Sequence, residues 1–216
     1  MDQLKDHIQG SRKQYDKDTL SESDLTESPF ELFGRWLQLA VDEGVPEPIA
    51  MNLATVDAAG RPSSRIVLLR GFDEKGFVFF TNYNSRKGNQ MLNQPMAALN
   101  FFWHELHKQV RIEGNVIQIP TAESDEYFSS RPRESQIGAW ASAQSSPLKS
   151  RLELEEHFAA LEKKFKDYNV PRPAHWGGYL VIPDLFEFWQ GRPDRLHDRF
   201  QYTLQNNIWQ YGRLSP

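Results

Sequence analysis

Apolar and polar positions follow a helical period near the start of the chain and a strand period after residue 50. Both periods recur in the second half. The first 27 residues are mostly polar, and Leu4 and Ile8, four apart, fit a short helix. "SPFELFGRWLQLAVDEG" (28–44) predicts a stronger one. Ser28 serves as N-cap, Pro29 as the first helical residue, and Glu31 completes a capping box. Phe30, Phe33, Trp36, Leu37 and Val41 then fall on one face, and Gly44 stops the helix.

Beyond it, "AMNLATVD" (50–57), "SSRIVLLRGFD" (63–73) and "FVFFTN" (77–82) read as a meander of antiparallel strands. A polar helix at 85–94 ends at Pro95, and strands follow at 96–103 and 108–119. A helical stretch runs from Thr121 to about Tyr168. Strands return in "GGYLVIP", "LFEFWQG", "RFQYTLQ" and "IWQYGRL", the last two joined by Asn206-Asn207. Many short strands with few crossover helices predict a mainly β fold, an antiparallel barrel with peripheral helices. Residues 1–27 read as a flexible N-terminal segment, and 28–216 as a single domain without an internal linker.

Composition narrows the function. The 25 basic and 29 acidic residues give a net charge of −4, which argues against general nucleic-acid binding. With no cysteine there is no disulfide framework, thiolate nucleophile or Cys-ligated metal. The six histidines form no metal-ligand pattern, and His104 and His107 read as a surface pair. A nucleophile elbow, a Rossmann fingerprint and a P-loop are all missing. The polar N-terminus lacks a signal-peptide core and no apolar run reaches membrane-spanning length, so a cytoplasmic location is expected.

What remains is a scatter of cations and hydroxyls at predicted strand ends. Arg65 and Arg70 bracket an apolar run expected to be half-buried, where a guanidinium needs an anionic partner. Arg86 and Lys87 follow Ser85 at a helix start, a place that favours anions. Thr81, Gln109, Arg111, Arg131, Arg133, Ser135, Gln144, Ser145 and Ser146 complete the set, and each taken alone is more often an ordinary solvated side chain. The residues support a protein that binds phosphorylated ligands with aromatic groups nearby.

"FEFWQGRPDRLHDR" (186–199) resembles the signature of the pyridoxamine 5′-phosphate oxidase family. "RIVLLR", "FFTNYNSRKGNQ", "RPRESQIGAWASAQSS" and "HWGGYLV" resemble further blocks of it, in the same order. The resemblance implies a homodimeric FMN-binding split β-barrel with the flavin at the subunit interface. It implies oxidation of pyridoxamine or pyridoxine 5′-phosphate by O₂ to pyridoxal 5′-phosphate, releasing H₂O₂ and, from the amine, NH₃. It assigns FMN contacts to Arg65, Ile66, Val67, Leu68, Leu69, Arg70, Phe80, Thr81, Arg86, Lys87, Gln109, Gln144, Ser145, Trp189 and Arg199. Substrate contacts fall on Arg12, Tyr15, Arg70, Tyr127, Arg131, Ser135, Arg195 and His197, with Arg195 and His197 catalytic. "RKQY" (12–15) corresponds to a segment closing over the substrate. Position 70 is Arg where the family often has Lys, so a planar fork replaces a point charge. If "RPDRLHDRF" is extended, Arg195, His197 and Arg199 share one face. A split-barrel flavin reductase and a non-catalytic pyridoxal-phosphate carrier are the alternatives.

Overall fold

The strand alternation after residue 50 is realised in β1 (Ala50–Val56) and β2 (Pro62–Leu68), which pair antiparallel with Leu53 opposite Arg65 and Thr55 opposite Ser63. In this computed structural model, residues 2–10 and 14–216 are described. The predicted single strand 63–73 breaks after Leu68 because the chain changes partners. Leu69 N donates to Ile49 O at 2.9 Å, whereas Arg70 N donates to Val78 O at 2.8 Å. β3 (Gly71–Asp73) then pairs with β4 (Gly76–Asn82). Gly76 permits that turn: its φ is +144°, and a Cβ there would meet Val181 O at 2.0 Å.

β5 (Met96–Trp103), β6 (Lys108–Gln118), β7 (Trp176–Gln190), β8 (Asp198–Gln205) and β9 (Ile208–Arg213) complete a nine-stranded sheet. Its order is β2-β1-β5-β6-β7-β4-β3, with β8 joined to β7 and β9 to β8, and the hydrogen-bonded path is not closed. The two strands expected around Pro183 are one. Residues 176–181 pair with β4 and residues 185–190 with β8, so Pro183 falls between two ladders and its missing N–H is not needed on that edge. Asn206 and Asn207, at φ 52° and 62°, make the tight β8–β9 turn.

The helices are α1 (Asp2–Gly10), α2 (Pro29–Asp42), α3 (Arg86–Asn93), α4 (Thr121–Ser130), α5 (Arg133–Ala141) and α6 (Arg151–Lys164). The last three replace the continuous helical stretch expected from 121 to 168. Pro132 lacks the N–H needed to continue α4, and the coil after α5 contains Pro147 and a left-handed Ser145. In α2, Phe30, Phe33 and Trp36 are buried as predicted, but Val41 is exposed and Ala40 takes its place. Ser28 makes no side-chain cap bond, and Glu31 pairs with Arg35 at 2.5 Å instead of closing a capping box.

The chain divides into two compact units. The first comprises Met1–Pro48, Phe101–Arg111 and Leu185–Pro216, and its core is aromatic. Phe30 meets Phe186 at 5.1 Å, Phe33 meets Phe101 at 5.0 Å, and Trp36 meets Phe188 at 5.3 Å. Each such fully buried ring stabilises by roughly 1.5–3 kcal/mol. The second comprises Ile49–Asn100 and Ile112–Asp184, where Phe128, Ile137, Phe165, Val170 and Trp176 form a cluster beneath α4 and α5.

Candidate functional site

A cleft of about 420 Å³ opens in the second unit. β2 supplies Arg65 to Leu68, β4 supplies Phe80 to Asn82, α3 supplies Lys87 and α4 supplies Tyr127. Arg70, Arg131, Gln144 and Trp176 complete the lining. Four of these residues are cations, and none is acidic.

Lys87 is buried because α3 turns it inward, in the first turn after the Ser85 cap. Its ammonium donates to Gln144 Oε1 at 2.7 Å, Thr81 Oγ1 at 2.8 Å and Ser85 Oγ at 3.2 Å, all neutral. Burial, with the nearby Arg65 charge, pushes it down to about 8. Arg65 donates to Thr55 Oγ1 at 2.7 Å, Ser63 Oγ at 2.8 Å and Leu53 O at 3.0 Å. The expected anionic partner is replaced by hydroxyls and a carbonyl. Burial, then Arg86, lowers the pKa of its guanidinium.

Across the cleft, Phe80 stacks on Tyr127 at 3.9 Å and on Trp176 at 5.4 Å, with interplanar angles of 13° and 12°. The Arg131 guanidinium lies 4.5 Å from the Trp176 ring centroid, and its Nη1 is buried without a partner among the described residues. Burial is the chief cause of the lowered pKa of Arg131. A flat aromatic wall beside uncompensated cations fits a planar, phosphorylated group such as FMN.

Eleven of the residues predicted for the site line this cleft: Arg65, Ile66, Val67, Leu68, Arg70, Phe80, Thr81, Lys87, Tyr127, Arg131 and Gln144. Leu69 is buried, Arg86 and Ser145 are exposed, and Ser135 sits half-buried in the first turn of α5. Ile66 is 64% exposed, so the run between the two arginines is less buried than expected. Trp176, Gln90, Thr55 and Ser63 were not predicted. Thr55 gave a signal, as a hydroxyl in register with the core positions Met51 and Leu53 of β1.

Gln109, Tyr15, Trp189, Arg195, His197 and Arg199 belong to the first unit, and Arg12 lies outside the described residues. The segment 192–199 is not extended. Residues 193–195 form a 3₁₀ turn, with Asp194 and Arg195 at φ 55° and 63°. The alternation of Arg195, His197 and Arg199 on one face is therefore lost, and β8 begins only at Asp198. Arg192 N donates to His197 Nδ1 at 3.0 Å and closes the turn. Burial, then Arg195 and Arg199, lowers the pKa of His197.

The His197 ring lies 4.7 Å from Trp189 and 5.9 Å from Tyr15. Tyr15 rests on Gly191, where a Cβ would meet its Cβ at 2.8 Å, and against His107 at 4.5 Å. His107 is buried there, so the histidines 104 and 107 are not a surface pair. Arg199 pairs with the buried Glu187 at 2.9 Å.

Residues 37–165 match the family described as pyridoxamine 5′-phosphate oxidase, and 176–216 match the pyridoxine 5′-phosphate oxidase C-terminal dimerisation region. The chain belongs to the pyridoxamine 5′-phosphate oxidase family. Membership makes it an oxidase with FMN as its cofactor, and the dimerisation region supports a homodimer. It is similar to the pyridoxine/pyridoxamine 5′-phosphate oxidase of Thermosynechococcus vestitus, 57% identical over 95% of this chain and 97% of that one. The corresponding protein of Neisseria meningitidis serogroup B is 55% identical over the same shares. Among solved structures, PhzG from Burkholderia lata, in complex with tetrahydrophenazine-1-carboxylic acid, aligns with a TM-score of 0.87. It is 33% identical, over 92% of this chain and 98% of that one. Among the described residues, no group of His, Asp and Glu could hold a metal, and no helix is long and apolar enough to cross a membrane.

Proposed function

We propose that the chain oxidises pyridoxamine 5′-phosphate and pyridoxine 5′-phosphate to pyridoxal 5′-phosphate, using the cleft in its second unit. The carrying observation is the acid-free lining, with four cations and the buried, unpartnered Nη1 of Arg131 beside a stacked aromatic wall. Bound FMN would supply a hydride acceptor for the substrate C4′ hydrogen and pass the electrons to O₂ as H₂O₂, and with the amine substrate water would release the nitrogen as NH₃.

Arg65 and Lys87 would hold the flavin phosphate, assisted by Arg86, Thr81, Gln144 and Ser145. Ile66 to Leu68 on β2, Leu69 and Arg70 just after it, and Phe80 on β4 would contact the cofactor. Gln109, Trp189 and Arg199 add contacts at the subunit interface of a homodimer. Arg131, Ser135, Tyr127 and Arg70 take the substrate phosphate, and binding energy from that remote group orients the reacting carbon. Arg195 stacks on the substrate ring. His197 accepts from Arg192 N through Nδ1, so its neutral ring carries the proton on Nε2, where it can donate to the substrate. Arg12 and Tyr15 belong to a segment that closes over the bound substrate and excludes water.

The test is colour. The purified protein should be yellow and bleach anaerobically with pyridoxamine phosphate but not with NADPH. Bleaching by NADPH alone would make it a reductase, and no bleaching by either would make it a carrier. Arg131→Ala should stay yellow with KM raised about ten- to a hundredfold, the value of a charge-assisted phosphate contact.

A further inference from the structure

Helix α3 buries two polar side chains three residues apart, Lys87 and Gln90. Lys87 lines the cleft and Gln90 does not. Gln90 is 4% exposed, and its carbonyl gathers hydroxyls from two strands. Thr55 Oγ1 donates to Gln90 Oε1 at 2.6 Å and Ser63 Oγ donates to it at 2.9 Å. With those hydrogens committed, both hydroxyl oxygens face Arg65 as acceptors. Arg65 gives Nη1 to Thr55 and Nη2 to Ser63 at 2.7 and 2.8 Å. Its Nη2 also lies 3.5 Å from Gln90 Oε1. One amide oxygen thus orients a half-buried guanidinium through two hydroxyls.

For the stability of the fold alone, a glutamate would serve better at position 90. It has the same shape, accepts the same hydrogen bonds, and would pair with Arg65. The amide instead leaves its Nε2 buried with no partner among the described residues, which costs stability. Lys87, on the same helix face, is likewise held only by neutral oxygens. Both cations are fixed in place and neither is neutralised.

We propose that Gln90 is a positioning residue that orders Arg65 without cancelling its charge, reserving that charge for the phosphate of FMN. This rests on the proposed assignment of Arg65 and Lys87 to that phosphate. FMN and riboflavin differ only by the phosphate, so titrating the apoprotein with each and following flavin fluorescence isolates it. The wild type should prefer FMN strongly. Gln90→Glu should weaken FMN by about tenfold or more while riboflavin stays within about twofold, because a carboxylate beside Arg65 opposes only the anionic ligand. The melting temperature of the Q90E apoprotein should hold or rise, since a new ion pair forms.

If Q90E does not accumulate, Gln90→Met carries the test. It is neutral but offers no acceptor, so the FMN-over-riboflavin ratio should fall about threefold through disorder of Arg65. Equal weakening of both flavins with a lowered apoprotein melting temperature would reduce Gln90 to a structural residue, as would an unaltered ratio in Q90E. A wild-type protein that binds FMN and riboflavin alike would instead remove the phosphate assignment itself.

Discussion

Arg199 Nε donates to Glu187 Oε1 at 2.9 Å, and Arg111 Nη1 donates to the other oxygen of the same carboxylate at 2.9 Å. Glu187 is 4% exposed, while the arginines are 25% and 42% exposed. A single buried carboxylate therefore accepts hydrogen bonds from two partly hydrated cations. Glu187→Gln should remove the counter-charge held against Arg199 and this one ion pair of Arg111. Because water still reaches them, the loss should be about 1–3 kcal/mol, less than for a fully buried pair. Urea denaturation measures it. In a double-mutant cycle with Arg199→Met, a coupling of about 1 kcal/mol or more is expected, and additive effects would show that the pair contributes nothing.

Lys87 gives a pH dependence with opposite signs for binding and for folding. Its ammonium, held down to about 8, loses its proton within the working range of an enzyme. A phosphate favours the charged form, so FMN affinity should fall as pH rises through about 8, by up to about tenfold per pH unit. Apoprotein stability should move the other way. Between about 8 and the ordinary 10.5 the unfolded chain binds a proton that the folded chain has released, so stability rises with pH in that window. Lys87→Met should flatten both profiles. A flat FMN-binding profile in the unaltered protein would remove Lys87 from the phosphate site.

The sequence made the strands legible because their alternation is local, and β5 matches its predicted bounds, 96–103. It could not show that β2 ends at Leu68, because the apolar run continues unbroken to Leu69 and only the change of partner between Ile49 and Val78 stops the strand. Lys87 and Arg65 were visible as candidates, since cations at a helix start and within an apolar strand ask for an explanation. Gln90 was not, because a glutamine on a polar helix carries no signal until Thr55 and Ser63 are brought against it from two strands. The backbone conformation at 193–195 was not legible for a related reason. Pro193 announces a turn and Asp194 tolerates a positive φ, but an arginine at φ 63° is not encoded by any local preference.

Those two residues carry the last prediction. Asp194 and Arg195, at φ 55° and 63°, adopt a backbone conformation that costs an L-residue roughly 1–2 kcal/mol. Aspartate tolerates it better than arginine, so the cost falls mainly on Arg195. The side chain is exposed, and the turn it occupies is closed by the bond from Arg192 N to His197 Nδ1. Nothing in the packing of the turn demands an arginine there. Strain of this kind persists where function requires the residue. Arg195→Gly should therefore raise stability by about 0.5–1 kcal/mol while losing most of kcat/KM. Arg195→Lys should keep the strain and the charge, bind FMN normally, and still lose much of kcat/KM, because it lacks the flat guanidinium proposed to stack on the substrate ring. Urea midpoints and steady-state kinetics with both vitamers read the two effects separately. An Arg195→Lys enzyme with unchanged kcat/KM for both substrates would make this a charged turn that does not serve the reaction.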